Sequence, residues 1–304
     1  MPSHRAPRPL VAGVALAAAL VVIAGCSKGS SPTVTPSASS SGAGTAVARI
    51  ANEVPAAIRS NGTLVVAADA TYAPDEFIGS DGKTVVGMDA DLAKALAAVM
   101  GLKVKVVNAT FDSIIPGLQS GKYDLGMSSF TDTKKREQTV DFVTYFSSGE
   151  AFYVKAQGGP SIQALADLCG HAVAVETGTT ELDDANTQAA KCHAAGKPAE
   201  HVKSYPDQNT ANLALTSGAA DVGFLDSQVA GYVVAQSHGQ FKLSGPAFAV
   251  APYGIAIPKN NGMATPILDA LKQLMSDGTY TAILARWGVS SGAISNPVIN
   301  GAQS

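Results

Sequence analysis

Histidine, cysteine and tryptophan are scarce in this 304-residue chain, with five, three and one copies, and each shortage removes a class of chemistry. The histidines, at 4, 171, 193, 201 and 238, have no metal-ligand spacing and no obvious base pairing. The cysteines, at 26, 169 and 192, make no second pair and join no histidine cluster, so no metal site and no cofactor are expected. Basic residues are not in excess either: 21 Lys and Arg against 24 Asp and Glu give a net charge of -3, which argues against nucleic acid as a partner. The N-terminal apolar run, Leu10 to Ile23, is shorter than the ~20 residues a membrane-spanning helix needs.

What that run does have is order. Arg5 and Arg8 precede it and small residues close it at Ile23-Ala24-Gly25-Cys26, the pattern of a secretory signal, without a twin-arginine pair. The closing residues resemble a bacterial lipobox. That resemblance implies a signal peptide over 1–25, lipid on Cys26, and a protein held at the extracytoplasmic face of the cell membrane without crossing it. Removing 1–25 takes away two Arg and no acid, so the mature charge becomes 19 minus 24, or -5.

Residues 27–45 hold seven Ser, three Thr, three Gly and two Pro, a composition that buries little. With Cys26 they are expected to form a flexible tether over 26–48, reaching roughly 25 Å. The rest is long enough for two ordinary domains. In an exported body Cys169 and Cys192 are expected to pair, the alternative being two buried thiols.

Short apolar strands alternate with helical spacings, which predicts α/β architecture with largely parallel sheets. Strands are expected at Leu64–Ala68, Val104–Val107, Leu125–Ser128, Ala172–Val175, Val222–Leu225 and Tyr253–Ile257. Met88, Leu92, Leu96 and Val99 share a helical face behind an Asp89 cap. Further helices are expected near 113–120, 133–138, 180–195, 209–217, 227–237, 264–275 and 279–287. Because ligands of open α/β sheets collect beyond the strands' carboxyl ends, Asp69, Ser128–Thr131, Glu176–Thr180 and Asp226 stand out.

Those positions fall within stretches that, in order and spacing, resemble the solute-binding proteins of ABC importers for polar amino acids. The stretches are Ala68–Pro74, Val86–Lys94, Phe111–Leu118, Gly126–Thr133 with Arg136 and Val140–Phe142, Val173–Thr180, Ala220–Asp226, Pro252–Ala256 and Asp277–Tyr280 before Trp287. The resemblance implies a two-lobed, type II periplasmic-binding-protein-like fold, each lobe a mainly parallel sheet flanked by helices, with the ligand cleft between them. Lobe 1 would comprise 49–150 plus 247–290 and lobe 2 would comprise 151–246, with a tail at 291–304. It also implies no catalysis: a monomer captures a free amino acid and delivers it to a membrane permease.

The resemblance puts Arg136 on the ligand carboxylate, a task suited to a planar guanidinium, aided by Thr131 and by Thr180 at a helix start. Asp226 and Ser129 would take the ammonium. Tyr72 and Phe111 would flank the side chain. Asp69 and Glu176 would approach its variable end, and two acids there favour a basic amino acid, with glutamine next. Three departures matter. Relatives often carry Lys, Gln or an apolar residue where Glu176 stands, some have Gly for Ser129, and an apolar residue is commoner at Asp75. The chain also resembles periplasmic cyclohexadienyl dehydratases, for which Glu176 would be the acid or base, and a ligand sensor acting in trans is the third reading.

Overall fold

The computed structural model describes residues 46–303. The signal segment 1–25, Cys26 and the tether up to residue 45 lie outside the described residues. Two short helices, α1 (Ala48–Glu53) and α2 (Ala56–Asn61), come first. Val47, at the end of the expected tether, already donates its N–H to the Val99 carbonyl at 2.9 Å.

Lobe 1 then builds β1 (Thr63–Ala68), the small β2 (Thr71–Tyr72), β3 (Glu76–Ile78) and β4 (Val85–Val86), α3 (Met88–Val99), β5 (Lys103–Asn108), α4 (Phe111–Gln119), β6 (Leu125–Gly126) and α5 (Lys134–Glu137). A long strand, β7 (Val140–Lys155), leads into lobe 2 with β8 (Ala172–Glu176), α6 (Thr180–Ala194), β9 (His201–Tyr205), α7 (Gln208–Ser217), β10 (Val222–Asp226) and α8 (Ser227–Gln236). The return strand β11 (Phe241–Pro258) precedes α9 (Ala264–Ser276) and α10 (Thr279–Trp287).

Among the described residues one eight-stranded sheet runs in the order β5-β1-β6-β11-β7-β10-β8-β9. β1 is parallel to β5 and β6, and β8 is parallel to β9 and β10. The antiparallel pair β7 and β11 passes through both halves, and its register slips at Ser244/Phe248, Phe248/Ala251 and Tyr253/Gly254. Slips of this kind bend and twist a strand pair, which places the joint between the lobes there. Gly149 sits at this joint, where a Cβ would lie 2.6 Å from the Phe248 carbonyl oxygen.

Each half has its own core. Leu64, Val66, Leu92, Leu96, Ile255 and Leu271 are packed in one, and Phe152, Val154, Val173, Val175 and Phe224 in the other. The residues expected as a tail are docked: Thr144 N–H donates to the Val298 carbonyl and Asn300 N–H to the Phe142 carbonyl, both at 2.9 Å.

Two expectations need correction. Asp89 does not cap α3; Gly87 holds that position, and the buried Asp89 carboxylate instead accepts from Tyr145 Oη at 2.8 Å and Ser129 N at 3.2 Å. The strand expected over Leu125–Ser128 stops at Gly126, because the chain turns through Ser129 with φ of 50°.

Cys169 and Cys192 are bonded, with Cα atoms 5.6 Å apart, and tie the start of lobe 2 to α6. Closing a 23-residue separation restricts the unfolded chain by ~3 kcal/mol in the chain-entropy model. Urea unfolding with and without reductant should therefore show a loss of about that size, and equal stabilities would show the bond contributes nothing.

Candidate functional site

The carboxyl ends of β1, β6, β8 and β10 meet where the lobes face each other. Tyr72, Phe111, Ser129, Thr131, Arg136, Thr179, Thr180, Glu181 and Asp226 line a cavity there of about 190 Å³. Seven of the nine residues expected at the site are thus brought to one wall.

Local chemistry positions each of them. Thr133 caps α5 by accepting from Arg136 N at 3.2 Å, which orients the short helix that carries the arginine. The guanidinium donates to the Thr131 carbonyl at 2.8 Å and, across the cleft, to the Gly178 carbonyl at 3.0 Å. Its carbon lies 5.3 and 5.5 Å from the ring centres of Phe111 and Phe130, which themselves stack at 4.4 Å. Gly178, with φ of +88°, comes so close that a Cβ would lie 3.2 Å from Asp112 Cβ of lobe 1. Thr179 caps α6 through Leu182 N at 3.2 Å, leaving Thr180 as the first helical residue, 3.5 Å from Thr131 across the cleft.

Asp226 occupies the cap position of α8, yet its side chain makes no capping bond. It is turned to the cavity instead. Burial, then the charge of Glu181, pushes its carboxyl well above the usual carboxylate range.

Asp69 and Glu176 are not on this wall; they lie against each other. Asp69 Oδ1 accepts from Thr71 Oγ1 at 2.7 Å and Oδ2 from Phe111 N at 3.0 Å, so it stands one residue behind the Phe111 ring. Burial, with Asp69 beside it, raises the Glu176 carboxyl to about 10. The Glu176 carboxyl therefore keeps its proton at neutral pH, and burial raises the Asp69 carboxyl beside it as well.

Sequence reasoning missed several acids. Glu181 lines the cavity beside Thr180, and burial raises its carboxyl. Glu150, on β7, is pushed up to about 9 by burial and then by Glu181. Behind Ser129 lie Asp75, raised to about 7 by burial and Asp89, and Glu76, raised well above its usual range by burial first. In sequence Glu181, in the first turn of α6, reads as a solvated partner of the helix dipole, whereas Asp75 and Glu76 are enclosed with Ser128 and Ser129 of their own lobe. Among the described residues, no group of three or more His, Cys, Asp or Glu has an arrangement that could hold a metal ion.

The profile of the bacterial extracellular solute-binding proteins, family 3, matches residues 64–290. The arginine-binding protein ArgT of Corynebacterium glutamicum is 33% identical over 248 residues, 81% of this chain and 81% of that one. A solved ancestral arginine-binding protein bound to arginine aligns at TM-score 0.69 and 39% identity, covering 74% of this chain and 98% of its own. One bound to glutamine aligns at TM-score 0.69 and 38% identity, covering 75% and 98%. The ancestral amino acid-binding protein AncCDT-1, a precursor of cyclohexadienyl dehydratase, aligns at TM-score 0.68 and 35% identity, covering 76% and 97%.

The raised carboxyls set a pH dependence. In the unfolded chain Glu176 and Glu150 ionise near 4.5, whereas the folded values are about 10 and about 9. Their protonated forms therefore support the fold fully below about 4.5, and that support declines as pH rises toward 9 to 10. The melting temperature of the ligand-free protein should fall between pH 5 and 9, and Glu176→Gln should flatten the fall. An identical slope in the variant would contradict the assignment.

Proposed function

Because the chain belongs to the bacterial extracellular solute-binding proteins of family 3, we propose that it captures a free basic amino acid between its lobes and delivers it to an ABC permease. The lobes are 49–150 with 247–290, and 151–246. Lipid on Cys26 holds the protein at the outer face of the membrane, where capture and delivery occur close to the permease.

One observation carries this reading: a cavity between the lobes sets a single guanidinium opposite a surplus of buried carboxyl groups. Arg136 takes the ligand carboxylate, with Thr131 and the first N–H groups of α6 at Thr180 adding donors. Asp226 and Ser129 take the ammonium. Tyr72 and Phe111 flank the side chain, and Glu181, with Asp69 and Glu176 behind Phe111, answers its distal charge. Because both lobes contribute groups, the ligand binds the closed form better and shifts the equilibrium toward it.

The dehydratase reading is favoured by one feature, the Glu176 carboxyl that keeps its proton to about 10. Its position behind the cavity wall, facing Asp69, favours binding over catalysis.

Thermal unfolding of the soluble body against the twenty amino acids, ornithine, prephenate and arogenate separates these readings. Arginine, lysine or ornithine should stabilise it, by ~2.7 kcal/mol at a hundredfold excess over Kd. Arg136→Ala should weaken binding by roughly a hundredfold or more, as expected for loss of a buried charge-assisted contact. A shift with glutamate or prephenate alone, or full affinity in Arg136→Ala, would contradict the proposal.

A further inference from the structure

Ligand capture leaves Asp75 unused, since it is absent from the cavity wall. It is fully buried, with 0% exposure. Its Oδ2 accepts from Gln228 Nε2 at 2.7 Å and lies 3.1 Å from Ser129 Oγ. Gln228 is on α8, in the opposite lobe. The glutamine amide is used completely: Nε2 also donates to Tyr253 Oη at 2.7 Å, and Oε1 accepts from the Ser148 hydroxyl. Asp75 Oδ2 already accepts from the Ser129 hydroxyl and Gln228 Oε1 from the Ser148 hydroxyl, so the amide nitrogen is the atom that donates to Asp75.

Both partners sit one step behind the cavity wall. Asp75 N–H donates to the Tyr72 carbonyl at 2.9 Å, and Tyr72 and Ser129 line the cavity. On the other lobe, Gln228 follows Asp226 by two residues. The Asp75 main chain is locked in turn. Its carbonyl accepts from Asp89 N at 2.9 Å, and a Cβ on Gly87 would come within 2.2 Å of that oxygen.

We propose that Asp75 and Gln228 form a closure latch, a cross-lobe hydrogen bond that biases the open–closed equilibrium toward the closed form and so holds Tyr72, Ser129 and Asp226 around the ligand. Parting the lobes breaks the bond and frees both groups for water. A desolvated, charge-assisted contact outweighs exposed pairs. The exposed ion pair across the lobes, Lys135 to Asp183 at 2.9 Å, has side chains 81% and 62% exposed and contributes little.

The test rests on the ligand reading only through its probe, L-arginine. Gln228→Ala and Asp75→Leu should each weaken arginine binding about tenfold, largely through faster release. Asp75→Asn, which keeps an acceptor, should stay within about threefold of wild type. Gln228→Ala also removes the Tyr253 and Ser148 contacts, and Asp75→Leu the Ser129 contact, so the double variant Asp75→Leu/Gln228→Ala should lose less than the product of the two single losses, the shared bond being counted once. Multiplicative losses, or unchanged affinity in Gln228→Ala, would overturn the latch. Small-angle scattering of the ligand-free proteins gives an arm free of the probe: Gln228→Ala should have a larger radius of gyration than wild type, and equal radii would overturn the proposal. Should wild type fail to bind arginine while Gln228→Ala expands, the ligand reading fails and the latch stands.

Discussion

The structure depends on the burial of carboxyl groups around one guanidinium. Arg136 is the one basic side chain on the cavity wall, whereas Glu181 and Asp226 line it and Asp69, Asp75, Glu76, Glu150 and Glu176 lie just behind. So many acids cannot share a dry cleft in ionised form; burial raises their affinity for protons, with Glu150 near 9 and Glu176 near 10. In the proposed function a cationic ligand enters this cleft and favours the ionised form of the acids near it. At an effective dielectric of ~20, a cation about 4 Å from a carboxylate gains roughly 4 kcal/mol, equivalent to about three pKa units. That is enough to take a proton from a group titrating near 9 or 10 at slightly alkaline pH.

The backbone arrangement lets this charge imbalance act as a device. Only β7 and β11 join the lobes, apart from contacts across the cleft, and their register slips beside Gly149 concentrate bending at one place. Each lobe keeps its own core, and Tyr72 of lobe 1 also packs with the cluster of Ala151, Tyr153 and Leu225 in lobe 2. The polar contacts that cross the cleft include Arg136 on the Gly178 carbonyl, Thr131 against Thr180, Gln208 N on Thr71 Oγ1, and Gln228 on Asp75 and Tyr253.

Much of this was legible in the sequence, and the remainder was hidden for physical reasons. Helices such as Ala264–Ser276 and Thr279–Trp287 announce themselves by apolar spacing, and β10 by a short run buried on both faces. β7 was not expected as one strand because Ser147-Ser148-Gly149-Glu150 interrupts its apolar pattern, and its continuity comes from pairing with a distant segment. β9 is an edge strand, His201-Val-Lys-Ser-Tyr205, mostly exposed and so nearly without apolar signal. Arg136, Thr180 and Asp226 could be named because their motifs carry position as well as residue type. Glu150, Glu181 and Glu76 could not, since nothing local distinguishes a solvated acid from one that distant segments will enclose.

If the cleft takes a cationic ligand as proposed, binding should displace protons held by its buried carboxyl groups. Calorimetric titration of the protein with L-arginine at pH 8, in buffers of different ionisation enthalpy, measures this directly. About one proton should be released per arginine bound, seen as a binding heat that changes with the buffer. Tight binding with the same heat in every buffer would contradict it.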